Sequence, residues 1–245
     1  MARIFLQMAV MIALLFAPSL AEAARVSPMI VEIEPGGRNS VARVELTNDG
    51  VRNIPFEVRM MLGEISEDGQ LTMTPADDRF LVFPAQSIVE SNSQQVFRLQ
   101  YVGDPELTES EIYYMSIQQV PVELEEGEES QVQVVVNYNV LVNVVPDGST
   151  ARADVESIEA VVQDDVPGIR LRLTNTGTRY FLAGLAEWTI TATAEDGSEY
   201  NVNYKKEEMT RKIGVGVVGP GRARILFVPT EKPLVQDSIR VEVSP

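Results

Sequence analysis

The sequence predicts an all-β protein of two successive sandwiches, and three observations carry that reading. Short apolar or alternating runs recur along the chain with turn signals between them. No segment shows a capped helical period. The turns Asn48-Asp49-Gly50, after VELT, and Asn175-Thr176-Gly177, after RLRLT, occupy comparable places in two halves that part near Pro146-Asp147-Gly148. A linker is therefore expected at about 146–152, between two sandwiches of similar plan.

The elements follow in order. Met29 to Glu34 ends at Pro35-Gly36-Gly37, and Val41 to Leu46 alternates up to the Asn48 turn. Ile54 to Leu62 is the next strand, and Glu64 to Gln70 reads as a polar hairpin connection. Phe80 to Phe83, Gln95 to Tyr101 and Ile112 to Gln118 complete the series before a long final strand. The second half offers Val155 to Val162, Ile169 to Leu173, Tyr180 to Leu182, Trp188 to Thr193, Tyr200 to Tyr204, Ala223 to Val228 and Ile239 to Val243. Gly214 to Gly219 reads as a loop between strands, since no phosphate-binding glycine motif is present.

The final strand of the first half, Ser130 to Pro146, is the most informative stretch. Val132, Val134, Val136, Tyr138, Val140, Val142 and Val144 share one parity, and the other parity is rich in Asn and Gln. Side chains alternate faces along a strand, so this is one continuous β-branched stripe, longer than a small sandwich can cover. Either a second sheet lies over its excess length, or part of it waits for another chain. Directly before it, Glu123 to Glu129 carries five glutamates in seven residues and reads as a solvated connection.

The ends and the composition narrow the function. Residues 1–23 combine Arg3, an apolar run from Ile4 to Phe16, Pro18 and Ala21-Glu22-Ala23, the plan of a cleaved export signal. The run is shorter than the ~20 residues that span a bilayer, and no later segment could insert. Cleavage removes one positive and one negative charge, so the net charge of −16 persists. Such acidity disfavours nucleic acid and anionic lipid as partners. The chain has no Cys and no His, which excludes disulfides, histidine-based nucleophile systems and the usual zinc sites. The paired carboxylates Asp77-Asp78 and Asp164-Asp165 stand in turn-like sequence and read as solvated loop acids. The expectation is a non-enzyme, with no catalytic residues, no metal and no cofactor.

Several segments together resemble the PapD-like periplasmic chaperones of the chaperone-usher pathway, in a divergent form. They are VARVELTND, FPAQSIVESNSQQVFRLQ, YYMSIQQVP, the alternating strand ending in proline, and LRLTNTGTRYFLAGL. The resemblance implies two immunoglobulin-like β-sandwich domains set at an angle with a cleft between them. Residues 24–146 would form the first, carrying the long donor strand, and 147–245 the second. It further implies a periplasmic protein that binds fimbrial or pilus subunits by donor-strand complementation, a recognised mode of strand addition, and delivers them to an outer-membrane usher. Counting back from Pro146, the donor positions are Val132, Val134 and Val136. Val140, Val142 and Val144 read as the ordinary core of the first domain.

This chain also departs from the family pattern. Many members hold the subunit's terminal carboxylate with an Arg on the first strand and a Lys on the long strand, where this chain has Glu32 and Leu141. An anchor would need an arginine such as Arg98, Arg59 or Arg25. Gln119, Val145 and Asp237 stand near the family's interdomain charges, and Pro121 matches a proline often cis there. Self-association through the uncovered stripe is a further expectation. The alternative from a different class is a secreted tandem immunoglobulin-like structural or adhesive protein without chaperone activity. A sandwich enzyme is weaker still, because Trp188, the single tryptophan, reads as core.

Overall fold

The structure, a computed structural model, describes residues 24–121 and 135–245. The expected export signal, the acidic loop, Val132 and Val134 lie outside those residues. The first domain comprises β1 (Ala24–Ser27), β2 (Ile30–Ile33), β3 (Val41–Asn48), β4 (Ile54–Ile65), β5 (Leu71–Pro75), β6 (Phe80–Phe83), β7 (Gln86–Val89), β8 (Ser93–Tyr101), β9 (Glu111–Gln119) and β10 (Asn137–Val144). One sheet runs β1-β3-β8-β6 and the other β2-β10-β9-β4-β5, with β7 also on β4. Alternation turns Val44, Leu46, Phe97 and Leu99 of the first sheet against Val58, Met60, Met115, Ile117, Val140, Val142 and Val144 of the second. The C-terminal valines of the stripe are thus core.

The second domain contains β11 (Ala153–Gln163), β12 (Val166–Asn175), β13 (Phe181–Leu182), β14 (Glu187–Thr193), β15 (Glu199–Tyr204), β16 (Val217–Val218), β17 (Ala223–Pro229) and β18 (Arg240–Ser244). Its sheets run β11-β12-β17, β15-β14-β18 and β13-β16. They close over a separate core around Leu171, Leu173, Ile190 and Val228. Trp188 is fully buried there, and its indole N–H donates to the Ala183 carbonyl at 2.8 Å. Asp164 and Asp165 form the two-residue β11–β12 turn with φ of 51° and 63°, the left-handed conformation that Asp tolerates in such hairpins.

One element differs from expectation. Lys206–Ile213 forms a short helix, α1, where a connection was expected. It lacks an ordinary start signal, because its N-cap is Lys205, whose backbone N–H is held by the Glu208 carboxylate at 3.2 Å. Only Met209 is buried along it. Tertiary packing therefore stabilises it: the Thr210 hydroxyl donates to the Gly184 carbonyl at 2.6 Å, and a Cβ on Gly184 would lie 1.9 Å from the Gly214 carbonyl oxygen. The shorter strands β1, β5, β7 and β16 were also not among the expected runs. Among the described residues the cis peptide bonds precede Pro28 and Pro84, not Pro121.

The two comparable turns are built alike. Asn48 is fully buried; its amide donates to the carbonyls of Arg52, Val89 and Glu90 at 2.8–3.1 Å, and its Oδ1 accepts from Gly50 N–H. Asn175, equally buried, donates to Arg179 and Val218 and accepts from Gly177 and Arg152. Gly177 is required by close approach, since a Cβ there would lie 2.2 Å from the Thr150 carbonyl oxygen.

A buried amide that satisfies several backbone groups leaves them unpaired when truncated. Asn175→Ala is therefore expected to destabilise the second domain by about 2–4 kcal/mol, read as a lower urea midpoint in the fluorescence of Trp188. Asn48→Ala should lower the far-UV circular dichroism midpoint comparably while shifting the Trp188 transition less. Equal and negligible shifts for both would show that these amides do not hold the turns.

Candidate functional site

The site begins with a strand divided between two sheets. β1 pairs antiparallel with β3, whereas β2, only three residues on, pairs parallel with β10 from Ile30↔Leu141 to Ile33↔Val144. On its other side β10 pairs with β9 along its whole described length, from Asn137↔Gln118 to Val144↔Glu111. Leu141 N–H reaches the Met29 carbonyl at 3.0 Å and Val145 N–H the Ile33 carbonyl at 2.8 Å, so the odd-numbered peptide groups face the β2 side. Ahead of Leu141, no strand among the described residues lies along that side. The backbone groups of Asn137 and Asn139 therefore form an open edge.

The valine stripe emerges from the core at the same place. Val140 is fully buried and Tyr138 is half-buried, its hydroxyl donating to the Ala24 carbonyl, while Val136 is 39% exposed. Gln119 steadies that end: its side-chain oxygen accepts from Val136 N–H and its own N–H donates to the Val136 carbonyl, both at 3.3 Å. An open edge beside apolar side chains on alternate positions is the geometry that an added strand requires. Val132 and Val134, on the same parity, lie outside the described residues.

The three arginines named from sequence are not brought together. Arg98 stands between Arg43 and Phe83 in the register of the other sheet, on its outward side, next to a phenylalanine that is 77% exposed. Arg59 does lie on the outward face of the β10 sheet, in the row of Ser116 and Asn139, but its guanidinium is committed to Asp77 at 2.7 and 2.9 Å. Arg25 pairs with Asp49 at 3.0 Å. Burial pushes the Asp77 carboxyl up, and the bonds from Arg59 and Met60 N–H pull it below its usual range overall.

Below the open edge, the outward face of the β10 sheet meets the second domain. Leu141, Tyr114 and Val145 pack with Tyr180 and Val217, and Met61, Met73, Ile112 and Leu182 border them. Tyr114 lies across β4 only because position 63 is glycine, where a Cβ would come within 2.5 Å of the ring. Polar ties flank this seam. Glu32 accepts from Arg179 at 2.6 Å and from the Tyr180 hydroxyl at 3.1 Å, and the Ser110 hydroxyl accepts from Tyr180 N–H at 2.6 Å. The β4–β5 tip reaches over as well: Glu67 binds Arg172 at 2.6 and 3.1 Å, and its carbonyl accepts from Ile225 N–H at 2.7 Å. Sequence reasoning found none of these partners except Glu32, which it singled out as a departure. Val145 joins the apolar seam, and the Asp237 carbonyl accepts from Arg240 within its own domain.

Leu141→Lys would place an amine in that apolar seam and is expected to cost about 3 kcal/mol, measured by urea denaturation. Leu141→Met should cost less than about 1.5 kcal/mol. Equal effects of the two would show that the seam tolerates charge at this position.

No curated protein matches the sequence. Solved structures align with most of it at low identity. The YadV chaperone has a TM-score of 0.55 at 14% identity, covering 90% of this chain and 91% of that one. The class 5 fimbriae chaperone CfaA gives 0.54 at 10% identity, covering 91% and 99%. A Salmonella enterica structure of the SafA pilin in complex with the SafB chaperone gives 0.51 at 19% identity, covering 87% and 86%. At such identities the likeness establishes the fold, two immunoglobulin-like sandwiches in one chain. The sequence family described as the pili and flagellar-assembly chaperone, PapD N-terminal domain, matches residues 25–150, which span β1 to the end of β10 and its open edge, and the chain belongs to that family.

Proposed function

We propose that this protein is a non-enzymatic periplasmic chaperone that caps fimbrial subunits by lending them the exposed part of its long strand, then passes them to an outer-membrane usher. The observation that carries the proposal is the edge of β10, closed by β2 from Leu141 onward and open at Asn137 and Asn139. A subunit strand added there gains main-chain hydrogen bonds from Asn137 and Asn139, while Val136, with Val134 and Val132 before it, enters the subunit's groove. Burying each valine would contribute about 1.5 kcal/mol, so the backbone ladder has to supply much of the remainder. Family membership and the fold shared with a chaperone–pilin complex support the reading. Residues 1–23 would serve as the cleaved export signal. In the absence of subunit, the same edge would let two copies pair.

The test is affinity capture of the tagged mature chain from its native periplasm, with mass spectrometry of what accompanies it. Wild-type protein is expected to recover a small fimbrial subunit, and Val134→Glu or Val136→Glu to recover little of it while remaining folded. Folded variants that recover as much as wild type, or empty samples from cells expressing a subunit, would overturn the proposal in favour of a tandem structural protein. Hydrogen exchange gives an independent check. The amides of Asn137 and Asn139 should exchange rapidly in the free monomer, at concentrations too low for two copies to pair, those of Leu141 and Val145 slowly, and the first pair should become protected when subunit binds.

A further inference from the structure

Two side chains hold the base of the exposed strand segment from different sides. The β9–β10 ladder ends at Gln118↔Asn137. One residue further, Gln119 N–H still donates to the Val136 carbonyl, but the return bond from Val136 N–H goes to the Gln119 side-chain oxygen, both at 3.3 Å. A side chain thus continues the antiparallel pattern for one residue past the last backbone pair. Beyond it Val120 N–H turns to the Pro55 carbonyl at 2.9 Å, so this end of β9 stays fixed on β4. Tyr138 makes the second tie. It stands on the valine stripe between buried Val140 and exposed Val136, and its side chain packs against the first-domain core. Its hydroxyl donates to the carbonyl of Ala24, which lies opposite Asn48 at the start of β1. From Ile30 onward β2 braces β10 directly, whereas β1, just before it in sequence, belongs to the other sheet. The Tyr138 phenol spans the gap left by that crossing.

We propose that Gln119 and Tyr138 are positioning residues for strand donation: they hold Val136 in line with β10, so that the free chain already presents its edge in the form an incoming strand requires. This rests on the strand-addition reading. Both act through the backbone of the donor strand and leave its open edge free, because the Gln119 contacts are on the β9 side and the Tyr138 hydroxyl reaches β1. The effect is on population. When only a fraction of molecules has the binding-competent form, apparent affinity falls by that fraction. Fixing a residue's backbone is opposed by its conformational entropy, so a segment left unheld at the end of a ladder spends much of its time in other conformations. One hydrogen bond at the base of the segment shifts that balance about fivefold. The gain appears in association, since once the partner strand is paired its own ladder keeps the segment extended.

The experiment uses the subunit recovered by capture, labelled with a fluorophore, unfolded in urea and diluted into excess mature chain. Wild type is compared with Gln119→Leu, Gln119→Glu and Tyr138→Phe, in the range where the association rate rises linearly with chain concentration and copies do not pair. Dissociation is followed by a chase with unlabelled subunit. Gln119→Leu and Tyr138→Phe should each slow association about fivefold and change dissociation less than about twofold. Gln119→Glu, whose carboxylate can still accept from Val136 N–H, should stay within about twofold of wild type in both. In the free chain, Gln119→Leu should speed exchange of the Val136 amide about fivefold and leave those of Leu141 and Val145 unchanged. Unchanged association in folded Gln119→Leu and Tyr138→Phe would overturn this inference and leave strand addition standing. So would a loss matched by a lower urea midpoint and faster exchange at Leu141 and Val145, the pattern of a merely structural role. Wild type that forms no complex would overturn strand addition and the inference with it. If Tyr138→Phe does not fold, the Gln119 pair decides: Glu retaining what Leu loses supports the positioning role, and equal loss in both refutes it.

Discussion

The division of the first strand between two sheets is the constraint on which the rest of this structure depends. β1 satisfies its backbone against β3, and after Pro28 the chain crosses the sandwich so that β2 can pair with β10. Had β2 continued the length of β10, the valine stripe would have had a covered edge on both sides. Because it begins at Leu141, the core valines and the exposed ones are separated at a defined point. Val140, Val142 and Val144 stabilise the first domain, and Val136 borders an unpaired backbone edge. Edge strands are usually blunted by charge, proline or a bulge. The described part of this edge, at Asn137 and Asn139, carries none of these.

The second constraint is the seam that sets the domains against one another. Hydrophobic burial of Tyr114, Leu141, Val145, Tyr180 and Val217 has no orientational preference of its own. Direction comes from the polar contacts around it: Glu67 with Arg172 and Ile225 on one flank, and on the other a group that converges on the short segment after Asn175. That asparagine fixes the carbonyls of Arg179 and Val218, Thr150 accepts from the Thr178 and Arg179 amides, and Ser110 receives Tyr180. The segment LRLTNTGTRYFLAGL thus does two jobs. It closes a turn inside the second domain and presents Arg179 and Tyr180 to the first. Exposed ion pairs such as Glu32–Arg179 contribute little to stability, so their value here is positional.

Much of this was legible in the sequence where the signal is local. Period-two alternation identified the long strands and placed Val140, Val142 and Val144 in the core, because every second residue of a strand must face the same side. The turns at Asn48 and Asn175 were visible as matching tripeptides, although their shared role as buried clamps was not. Helix α1 escaped notice because its two turns bury one apolar residue and its cap is a lysine, so neither periodicity nor composition marks it. β5 and β7 are short and alternate weakly, and their pairing with β4 settles what their sequences leave open.

What the sequence determined by itself, then, was the kind of fold, the stripe and its excess length, since these depend on residue identity and spacing along one chain. It also showed that the basic positions usual in the family are missing, leaving Arg25, Arg59 and Arg98 as arginines to consider. The tertiary structure alone decided where the stripe leaves the core, because that depends on where β2 joins β10. It alone brought Arg179 to Glu32, which is 147 residues away. No local pattern encodes such a contact. It exists because two independently packed sandwiches share an apolar face, and the segment at the edge of one is pinned by its own buried asparagine against the strand of the other.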